Sequence, residues 1–231
     1  GIKIDYVSIC SPNYLHDYHI RYGLRIGADV ICEKPVVLNP WNLEALIDLE
    51  SKYKNRVFTI LQLRYHEEIL KLKHEIEKGP KNKIYNVNLS YVTSRGNWYH
   101  ISWKGNEEKS GGIASNIGVH FFDILQWIFG PLDSLTLKIK TKDTNSGILI
   151  FKQARVRWYL SINAENLPDE IKEKRLNTFR NLNIEGKEIE FSKGFTNLHT
   201  LSYQKILVGE GFGLVEAKSS IEIVSKIRIQ K

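Results

Sequence analysis

The sequence predicts an α/β domain with a parallel, doubly wound sheet that is incomplete at its N-terminus, followed by an α+β domain with a large mixed or antiparallel sheet. Two patterns support this fold class. Apolar runs of strand length alternate with helical spacing over residues 1–63, as in βαβ units. Over residues 64–231, several strands alternate strictly between apolar and polar residues, which is typical of a sheet with one covered face. We therefore place a domain boundary after residue 63.

The first pattern contains three strands and two helices. In chain order they are a strand over 5–10, a helix over 13–26, a strand over 29–32, a helix that starts at 39–40 and a strand over 56–63. Ser11 and Pro12 provide an N-cap and a first-turn proline for the first helix, and Gly27 ends it. This order predicts half of a Rossmann-like fold with right-handed crossovers.

The second pattern mixes helices with alternating strands. Along 84–92, Tyr85, Val87 and Leu89 share one face of the predicted strand. The predicted elements are a helix over 66–78, strands over 84–92, 135–139 and 154–162, a helix over 117–129, a hairpin over 184–191 and helices over 200–208 and 214–226. This arrangement predicts the α+β domain.

Composition narrows the class of protein. The chain has 33 Lys and Arg against 26 Asp and Glu, a net charge of +7. The two signs are interleaved, which favours an anionic small molecule over nucleic acid as the partner. No apolar run reaches membrane-spanning length and no signal peptide opens the sequence, so we expect a cytoplasmic protein without a membrane partner. Cys10 and Cys32 each close an apolar run and fit buried thiols better than a metal site.

The sequence contains no methionine and begins in the middle of a pattern. We therefore expect it to be part of a longer protein.

Polar motifs follow each predicted strand of the first domain, where open parallel sheets bind ligands. The motifs are SPN with His16, EKP at 33–35 and QLR at 62–64. Taken alone, Lys34 could be a lysine that merely reaches solvent from a strand end. At the mouth of such a crevice its ammonium could instead stabilise the oxygen charge that develops when a hydroxyl is oxidised. We expect Glu33 to hold that ammonium and Pro35 to fix the turn.

His120 is the second candidate. It follows a glycine pair in GGIASNIGVH, on a predicted helix, and Asp123 lies one turn further along the same face. A histidine beside a carboxylate can accept a proton near neutral pH. The alternative is a histidine that only satisfies a hydrogen bond in the core.

The stretch RGNWYHISWKG at 95–105 brings cations and aromatic rings together in a predicted loop. This mixture suits an anionic ligand that contains a ring, such as a nucleotide with phosphates. The alternative is an aromatic surface flap.

Together these motifs resemble the Gfo/Idh/MocA family of NAD(P)-dependent oxidoreductases. SPNYLH resembles the family's TPN segment with its histidine, CEKP its EKP signature, and GGIASNIGVHFFD its segment that ends in the histidine of the catalytic region. A finer resemblance, to the WlbA-type enzymes of this family, is carried by NPWNLEAL, ILQLRYH, TSRGNWYHISWKG, KSGGIASNIGVHFFDILQWIFG, GFTNLHTLSY and GEGFGL. Those enzymes oxidise the 3-hydroxyl of UDP-N-acetyl-D-glucosaminuronic acid with NAD, on a route to lipopolysaccharide O-antigen sugars.

The resemblance implies roles for individual residues. It implies a dinucleotide-binding domain over 1–63 and a substrate-binding and oligomerisation domain over 64–231. The implied catalytic residues are Lys34 and His120. The implied cofactor-binding residues are Pro12, Asn13, His16, Glu33 and Lys34; the implied substrate-binding residues are Arg64, Arg95, Asn97, Tyr99, Lys104 and Asn116; no metal is implied. A homodimer or homotetramer is expected, formed through the apolar faces of strands 84–92 and 154–162.

The sequence departs from the family pattern at two points. Asn116 stands where many members have aspartate, and no GxGxxG loop occurs, because GEGFG at 209–213 follows a helix. We expect the loop to precede residue 1, and a chain that began at Gly1 to bind NAD weakly or not at all. Two alternatives stay open: another sugar or cyclitol dehydrogenase of the family, or a sugar-nucleotide sensor without turnover.

Overall fold

The computed structural model describes residues 2–189 and 197–230. A three-stranded parallel sheet forms first, in the order β1-β2-β3. Its strands and connecting helices are β1 (Tyr6–Ile9), α1 (His16–Arg25), β2 (Asp29–Cys32), α2 (Pro40–Tyr53) and β3 (Val57–Thr59). The parallel Rossmann-like sheet predicted from the sequence is confirmed, although β3 ends four residues early because a 3₁₀ turn occupies Gln62–Tyr65.

The second sheet has six strands in the order β5-β6-β7-β4-β8-β9. Only β4 and β7 pair in parallel, and the other neighbours are antiparallel, which confirms the predicted mixed sheet. The elements are α3 (Glu67–Lys78), β4 (Tyr85–Thr93), α4 (Asn97–Ile101), α5 (Glu107–Ser110), α6 (Val119–Phe129), β5 (Leu132–Lys140), β6 (Thr144–Phe151), β7 (Ala154–Ser161), α7 (Asp169–Glu173), β8 (Thr178–Ile184), β9 (Lys187–Ile189), α8 (Leu198–Leu207) and α9 (Leu214–Ile229).

Helices from the end of the chain complete the first sheet. Leu214 and Ile221 of α9 belong to the same buried cluster as α1, α2 and the strands. Ile206 of α8 packs against Ile31 and Phe58 on the other face. Both faces of β2 and β3 are thus covered, which explains their buried apolar residues. β1 is more exposed, and Cys10, which follows it and was expected to be buried, is exposed as well. The predicted boundary after residue 63 lies between the two sheets. However, α8 and α9, which come after it in the chain, pack on the first sheet.

The apolar faces of β4 and β7 point inward. Val87, Leu89 and Trp158 are buried in the main core beneath α3, α6 and α9, and Phe122 of α6 meets Trp158 edge to face with ring centroids 5.3 Å apart. The outward face carries exposed polar residues: Asn86, Asn88, Arg155 and Arg157. The expectation that these apolar faces join subunits is therefore wrong, because the chain's own helices cover them.

Several local features differ from the predicted elements. β6 was absent from the prediction, and the predicted loop at 95–105 contains α4 and a 3₁₀ turn. A π-helical segment, Ala114–Gly118, precedes α6. The hairpin turn at Glu185 and Gly186 is confirmed by positive φ angles of 52° and 85°, whereas residues 190 and 191 of that hairpin lie outside the described residues. Within the described ranges, no helix is long and apolar enough to cross a bilayer.

Gly147 allows β6 to pack closely in the sheet. A Cβ atom at this position would lie 2.3 Å from the Thr136 carbonyl oxygen and 3.1 Å from the Trp158 ring. We predict that Gly147→Ala destabilises the protein by about 2 kcal/mol, the range of overpacking in a core. Urea denaturation measures this, with Ser146→Ala on the same strand as the control. Equal stability of Gly147→Ala and the wild type would contradict the packing of β5, β6 and Trp158.

Candidate active site

A cavity of about 170 Å³ lies between the carboxyl end of the first sheet and the inner face of the second. Its lining comes from both sheets and from α6: Lys34, Gln62, Leu63, Tyr91, Arg95, Asn116, Ile117, His120, Phe121 and Arg180. Four of the residues predicted for the site, Lys34, Arg95, Asn116 and His120, are therefore brought together here.

Lys34 follows β2 and reaches across to the second domain. Its ammonium donates a hydrogen bond of 2.8 Å to the Asn116 carbonyl oxygen, 82 residues away in the chain. Burial lowers the pKa of Lys34 to about 8; Glu33 opposes this shift, and Lys104 and Arg95 reinforce it. Glu33 was expected to hold the ammonium directly. Its Oε1 lies instead 3.1 Å from His199 Nε2, and its Oε2 accepts from the main-chain N–H of Lys34 at 3.4 Å. Glu33 therefore does not contact the ammonium itself.

The Asn116 side chain is fully engaged by protein groups. Its Oδ1 accepts from Asn13 Nδ2 at 3.2 Å, and its Nδ2 donates to Tyr99 Oη at 2.9 Å and to the Lys104 carbonyl at 3.2 Å. These bonds fix the main chain whose carbonyl receives Lys34. Asn13, Tyr99 and Asn116 thus hold the main chain that accepts the hydrogen bond from Lys34. An aspartate could not donate the two Nδ2 bonds, which gives the asparagine here a physical reason.

His120 lies on the first turn of α6 and faces Lys34 across the cavity. Its Nε2 is 3.5 Å from Gln62 Nε2. Burial lowers the pKa of His120 well below its usual value, and the positive charge of Lys34 adds to this shift, with smaller contributions from His199 and Arg180. The imidazole is therefore neutral at pH 7 and can accept a proton.

The carboxylate of Asp123 is hydrogen-bonded to Arg64 and not to His120. Arg64 binds the two oxygens of this buried carboxylate through Nε and Nη2, at 2.9 and 2.7 Å. Burial raises the pKa of Asp123, and Arg64 opposes the shift. The guanidinium also lies over the rings of Trp127 and Phe212. Arg64, predicted to bind substrate, thus lies outside the cavity and ties α6 to the turn after β3.

His16, predicted to border the cofactor, is fully buried. Its Nδ1 and Nε2 each lie 2.8 Å from a main-chain carbonyl, those of Pro35 and Ser11. It joins the turn after β1 to the turn that carries Lys34, and burial lowers its pKa. Pro12 and Glu33 are half-buried, so they remain accessible at the strand ends, while Asn97 is exposed outside the cavity.

The cavity wall has unsatisfied polar atoms and an excess of positive charge. Arg95 Nε and Gln62 Oε1 are buried without a hydrogen-bond partner among the described residues. Lys34, Arg95 and Arg180 line the cavity, and no carboxylate does so within the described chain. Such a wall offers a donor, an acceptor and a positive potential, and it therefore suits an anionic ligand that carries hydroxyl groups.

Sequence reasoning missed two polar residues of the lining as site residues. Gln62 stands in the QLR motif after the third strand, so its position at a strand end was a usable signal. Arg180 had no such signal, because its place depends on the register in which β8 pairs with β4, opposite Tyr91. Among the described residues no cluster of His, Cys, Asp and Glu could hold a metal ion.

Both halves of the chain match domain models of one protein family. Residues 2–61 match the NAD-binding Rossmann fold of an oxidoreductase family, and residues 73–170 match the C-terminal alpha/beta domain of the same family. These matches define a two-domain oxidoreductase of the Rossmann class. The chain belongs to the Gfo/Idh/MocA family.

Solved structures extend the comparison over nearly the whole chain. The WlbA (WbpB) dehydrogenase from Thermus thermophilus, in complex with NAD and alpha-ketoglutarate, is 45% identical with a TM-score of 0.94, and the match covers 98% of this chain and 73% of that chain. A second structure, in complex with NAD and UDP-GlcNAcA, is 44% identical with a TM-score of 0.93 and the same coverage.

Curated relatives are more distant. The D-glucoside 3-dehydrogenase of Escherichia coli (strain K12) is 27% identical over 132 residues, which span 56% of this chain and 37% of the relative. The putative oxidoreductase YteT of Bacillus subtilis (strain 168) is 28% identical over 130 residues, 55% of this chain and 30% of the relative. The chain thus matches about a third of the length of these relatives.

The ion pair of Arg64 and Asp123 leads to a prediction that separates structure from substrate binding. Arg64→Met leaves a buried carboxylate without its partner, so we expect a loss of about 3 kcal/mol in unfolding free energy. Any substrate affinity should stay within about twofold, because Arg64 does not reach the cavity, and a twofold change is only about 0.4 kcal/mol. Denaturant unfolding and ligand titration measure the two quantities.

The matched control is Arg21→Met, which breaks the partly exposed pair with Asp17 and should cost about 0.5 kcal/mol. If Arg64→Met instead lost much of its substrate affinity while its stability stayed unchanged, Arg64 would have to be a substrate-binding residue.

Proposed function

We propose that this chain forms most of a NAD-dependent dehydrogenase that oxidises the C3 hydroxyl of UDP-N-acetyl-D-glucosaminuronic acid to a ketone. One observation carries the proposal. Lys34 and His120, predicted as catalytic partners, line the same cavity between the two sheets. The complexes of the Thermus thermophilus enzyme with NAD and UDP-GlcNAcA, at 44% identity, support this substrate. The relative named D-glucoside 3-dehydrogenase supports oxidation at the third carbon of a sugar.

The residues present fit a bound nicotinamide cofactor. The carboxyl ends of β1 and β2 carry Pro12 and Glu33, both partly accessible. Gln62 Oε1 is a buried acceptor without a partner in the described chain, which suits a hydrogen-bond donor such as a carboxamide or a hydroxyl. Pro12, Glu33 and Lys34 would border the cofactor, with Asn13 and His16 behind them as supports. When bound, NAD accepts the hydride that leaves the sugar carbon.

The chain's own groups move the proton and stabilise the charge. His120, neutral because its pKa is depressed, accepts the hydroxyl proton at one ring nitrogen. Lys34, held by the Asn116 carbonyl, places its positive charge beside the oxygen as negative charge develops there. Arg95 and Arg180 add the positive potential that would favour a uronate over a neutral sugar. The role of Glu33 is indirect, since its charge helps Lys34 to stay protonated.

Further parts of the proposal follow from the family. Residues 1–63 would bind the cofactor with α8 and α9 completing the domain, and the six-stranded sheet would bind the sugar. Tyr99 and Lys104 would act beside the cavity and Asn97 at the surface. We place the enzyme in the cytoplasm, on a route to lipopolysaccharide O-antigen sugars, as a homodimer or homotetramer. The polar outward face of the large sheet would then form the contact.

Turnover tests the proposal directly. With the full-length protein, Lys34→Ala should lower kcat by roughly 10²–10³, the effect of removing a group that stabilises an oxyanion. His120→Ala should lower it by roughly 10²–10⁴, as for a lost general base. Formation of NADH with UDP-N-acetylglucosaminuronate, followed by absorbance, measures both. The exposed Lys71→Ala is the control and should leave the rate unchanged.

The same assay separates the alternatives. Arg95→Ala should raise KM for the nucleotide sugar at least tenfold, about 1.4 kcal/mol; turnover of free sugars instead, insensitive to Arg95, would indicate another dehydrogenase of the family. Binding of the nucleotide sugar without any NADH formation in the wild type would identify a sensor and refute the enzyme.

The pKa shifts predict the pH dependence of kcat/KM. Lys34 must be protonated, and it loses its proton as pH rises through about 8, so activity should fall above about pH 8. His120 must be neutral, and its pKa lies well below the usual value, so the acidic loss of activity should begin below the pH of an ordinary histidine. A rate profile from pH 5 to 10 checks both limbs. An alkaline limb that persists in the residual activity of Lys34→Ala would contradict the assignment to Lys34.

A further inference from the structure

A second cavity, of about 110 Å³, lies on the other side of the segment that leads to Asn116. It shares no lining residue with the catalytic cavity. Its walls come from α4, the 104–114 segment, the hairpin formed by β5 and β6, and the last turn of α9. The lining residues are Tyr99, Lys104, Gly105, Glu107, Gly111, Gly112, Ile113, Ala114, Lys140, Thr141, Lys142, Asn145, Ile227 and Arg228.

The charge of this lining is strongly positive. Four basic residues, Lys104, Lys140, Lys142 and Arg228, face a single acid, Glu107, which lies 3.8 Å from Lys140. Three of these cations are held in place. Lys140 Nζ donates to the carbonyls of Arg228 and Gln230, Arg228 Nη1 donates to the Leu38 carbonyl, and the Lys104 ammonium lies over the Trp98 and Trp103 rings. Fixed cations around a small cavity create a potential that attracts an anion.

A helix begins at the same wall. The continuous helical stretch over 112–129 has its first turn at Gly112, Ile113 and Ala114, and all three residues line the cavity. The first N–H groups of a helix have no partner inside the helix, and its dipole favours negative charge there. Gly112 N–H donates to Ser110 Oγ at 3.0 Å, so the N–H groups of Ile113 and Ala114 are the ones that face a ligand. Gly111 and Gly112 adopt positive φ angles, 81° and 73°, which allow the chain to turn into this helix.

Asn145 supplies an independent observation. Its side chain is on β6 with 5% of the residue exposed, and its Oδ1 is buried with no hydrogen-bond partner in the described chain. Leaving a buried amide without a partner is costly, and such groups usually have a ligand or water. The amide nitrogen of Asn145 also makes no hydrogen bond within the described chain, so it can donate to an anion in the cavity without giving up a protein partner.

We propose that this second cavity binds a small oxyanion, a phosphate or a carboxylate, against the first turn of the 112–129 helix, with Asn145, Lys142 and Arg228 as its side-chain contacts. The site is separate from the proposed catalytic cavity and does not depend on its chemistry. Its floor, Gly111–Ala114, leads directly to Asn116, so a bound anion would rest against the segment that holds Lys34.

Calorimetric titration of the full-length protein with inorganic phosphate and with malonate, against chloride at equal ionic strength, tests the proposal. Binding of phosphate alone or of malonate alone identifies the source of the anion, and either result supports the site. Asn145→Leu removes the unpaired amide without breaking a described hydrogen bond. We expect this variant to fold and to weaken binding roughly tenfold, about 1.4 kcal/mol, because a hydrogen bond to a charged group is lost.

Lys142→Gln should weaken binding at least threefold, about 0.65 kcal/mol, whereas Lys138→Gln, an exposed lysine of β5 outside the lining, should not. Arg95→Gln reports on the catalytic cavity. Loss of anion binding in Arg95→Gln, with Asn145→Leu and Lys142→Gln unchanged, would place the anion in the catalytic cavity and overturn the proposal. No binding of either anion to the wild type would also overturn it.

Discussion

The hydrogen bond from Lys34 to the Asn116 carbonyl joins two domains whose sheets share no strand. The ammonium comes from the end of β2 and the carbonyl from the segment before α6. Around this bond, Asn13 links the first domain to Asn116 and to the Ser110 carbonyl, and His16 holds the turn that carries the lysine. The position of the cation therefore depends on main-chain groups that several buried side chains fix, and such preorganisation is what electrostatic stabilisation of a developing charge requires.

The same cluster explains the titration properties of the site. Burial shifts the pKa values of both Lys34 and His120 toward their neutral forms. The charge of Lys34 further disfavours protonation of His120, and Lys104 and Arg95 disfavour protonation of Lys34. Glu33 opposes the shift for Lys34 without touching the ammonium. The candidate site thus holds a lysine with a lowered pKa beside a histidine that is neutral at pH 7, and their environment sets the charge of each.

Much of the fold could be predicted because the relevant signals are local. Period-two and helical patterns gave β1, β2, β4, β7 and most helices within a few residues. β6 was missed because it begins with Thr144, Asn145 and Ser146 and contains Gly147, a composition that local preferences assign to a turn. The sheet order and the return of α8 and α9 to the first sheet arise from packing between distant segments, which periodicity does not encode.

The site shows the same limit. Lys34 and His120 could be found from strand ends and motifs. The partner of Asp123 could not: sequence spacing favoured His120, three positions away, while the structure pairs it with Arg64, 59 residues distant. The contact of Glu33 with His199 and the position of Arg180 in the cavity wall are likewise set by residues that are distant in the sequence. Residue type and spacing thus predicted four residues that line the cavity, Lys34, Arg95, Asn116 and His120. Only the fold decided which groups contact each other.

The position of α9 in the core has a consequence for synthesis of the protein. This helix contributes Leu214 and Ile221 to the cluster of the first sheet and Val224 to the main core, yet it is synthesised after all the other described elements. Until then, the earliest strands and helices expose apolar surface that only α8 and α9 cover. Their stable folding therefore waits until α8 and α9 have emerged from the ribosome, and the nascent chain needs protection from aggregation throughout that interval.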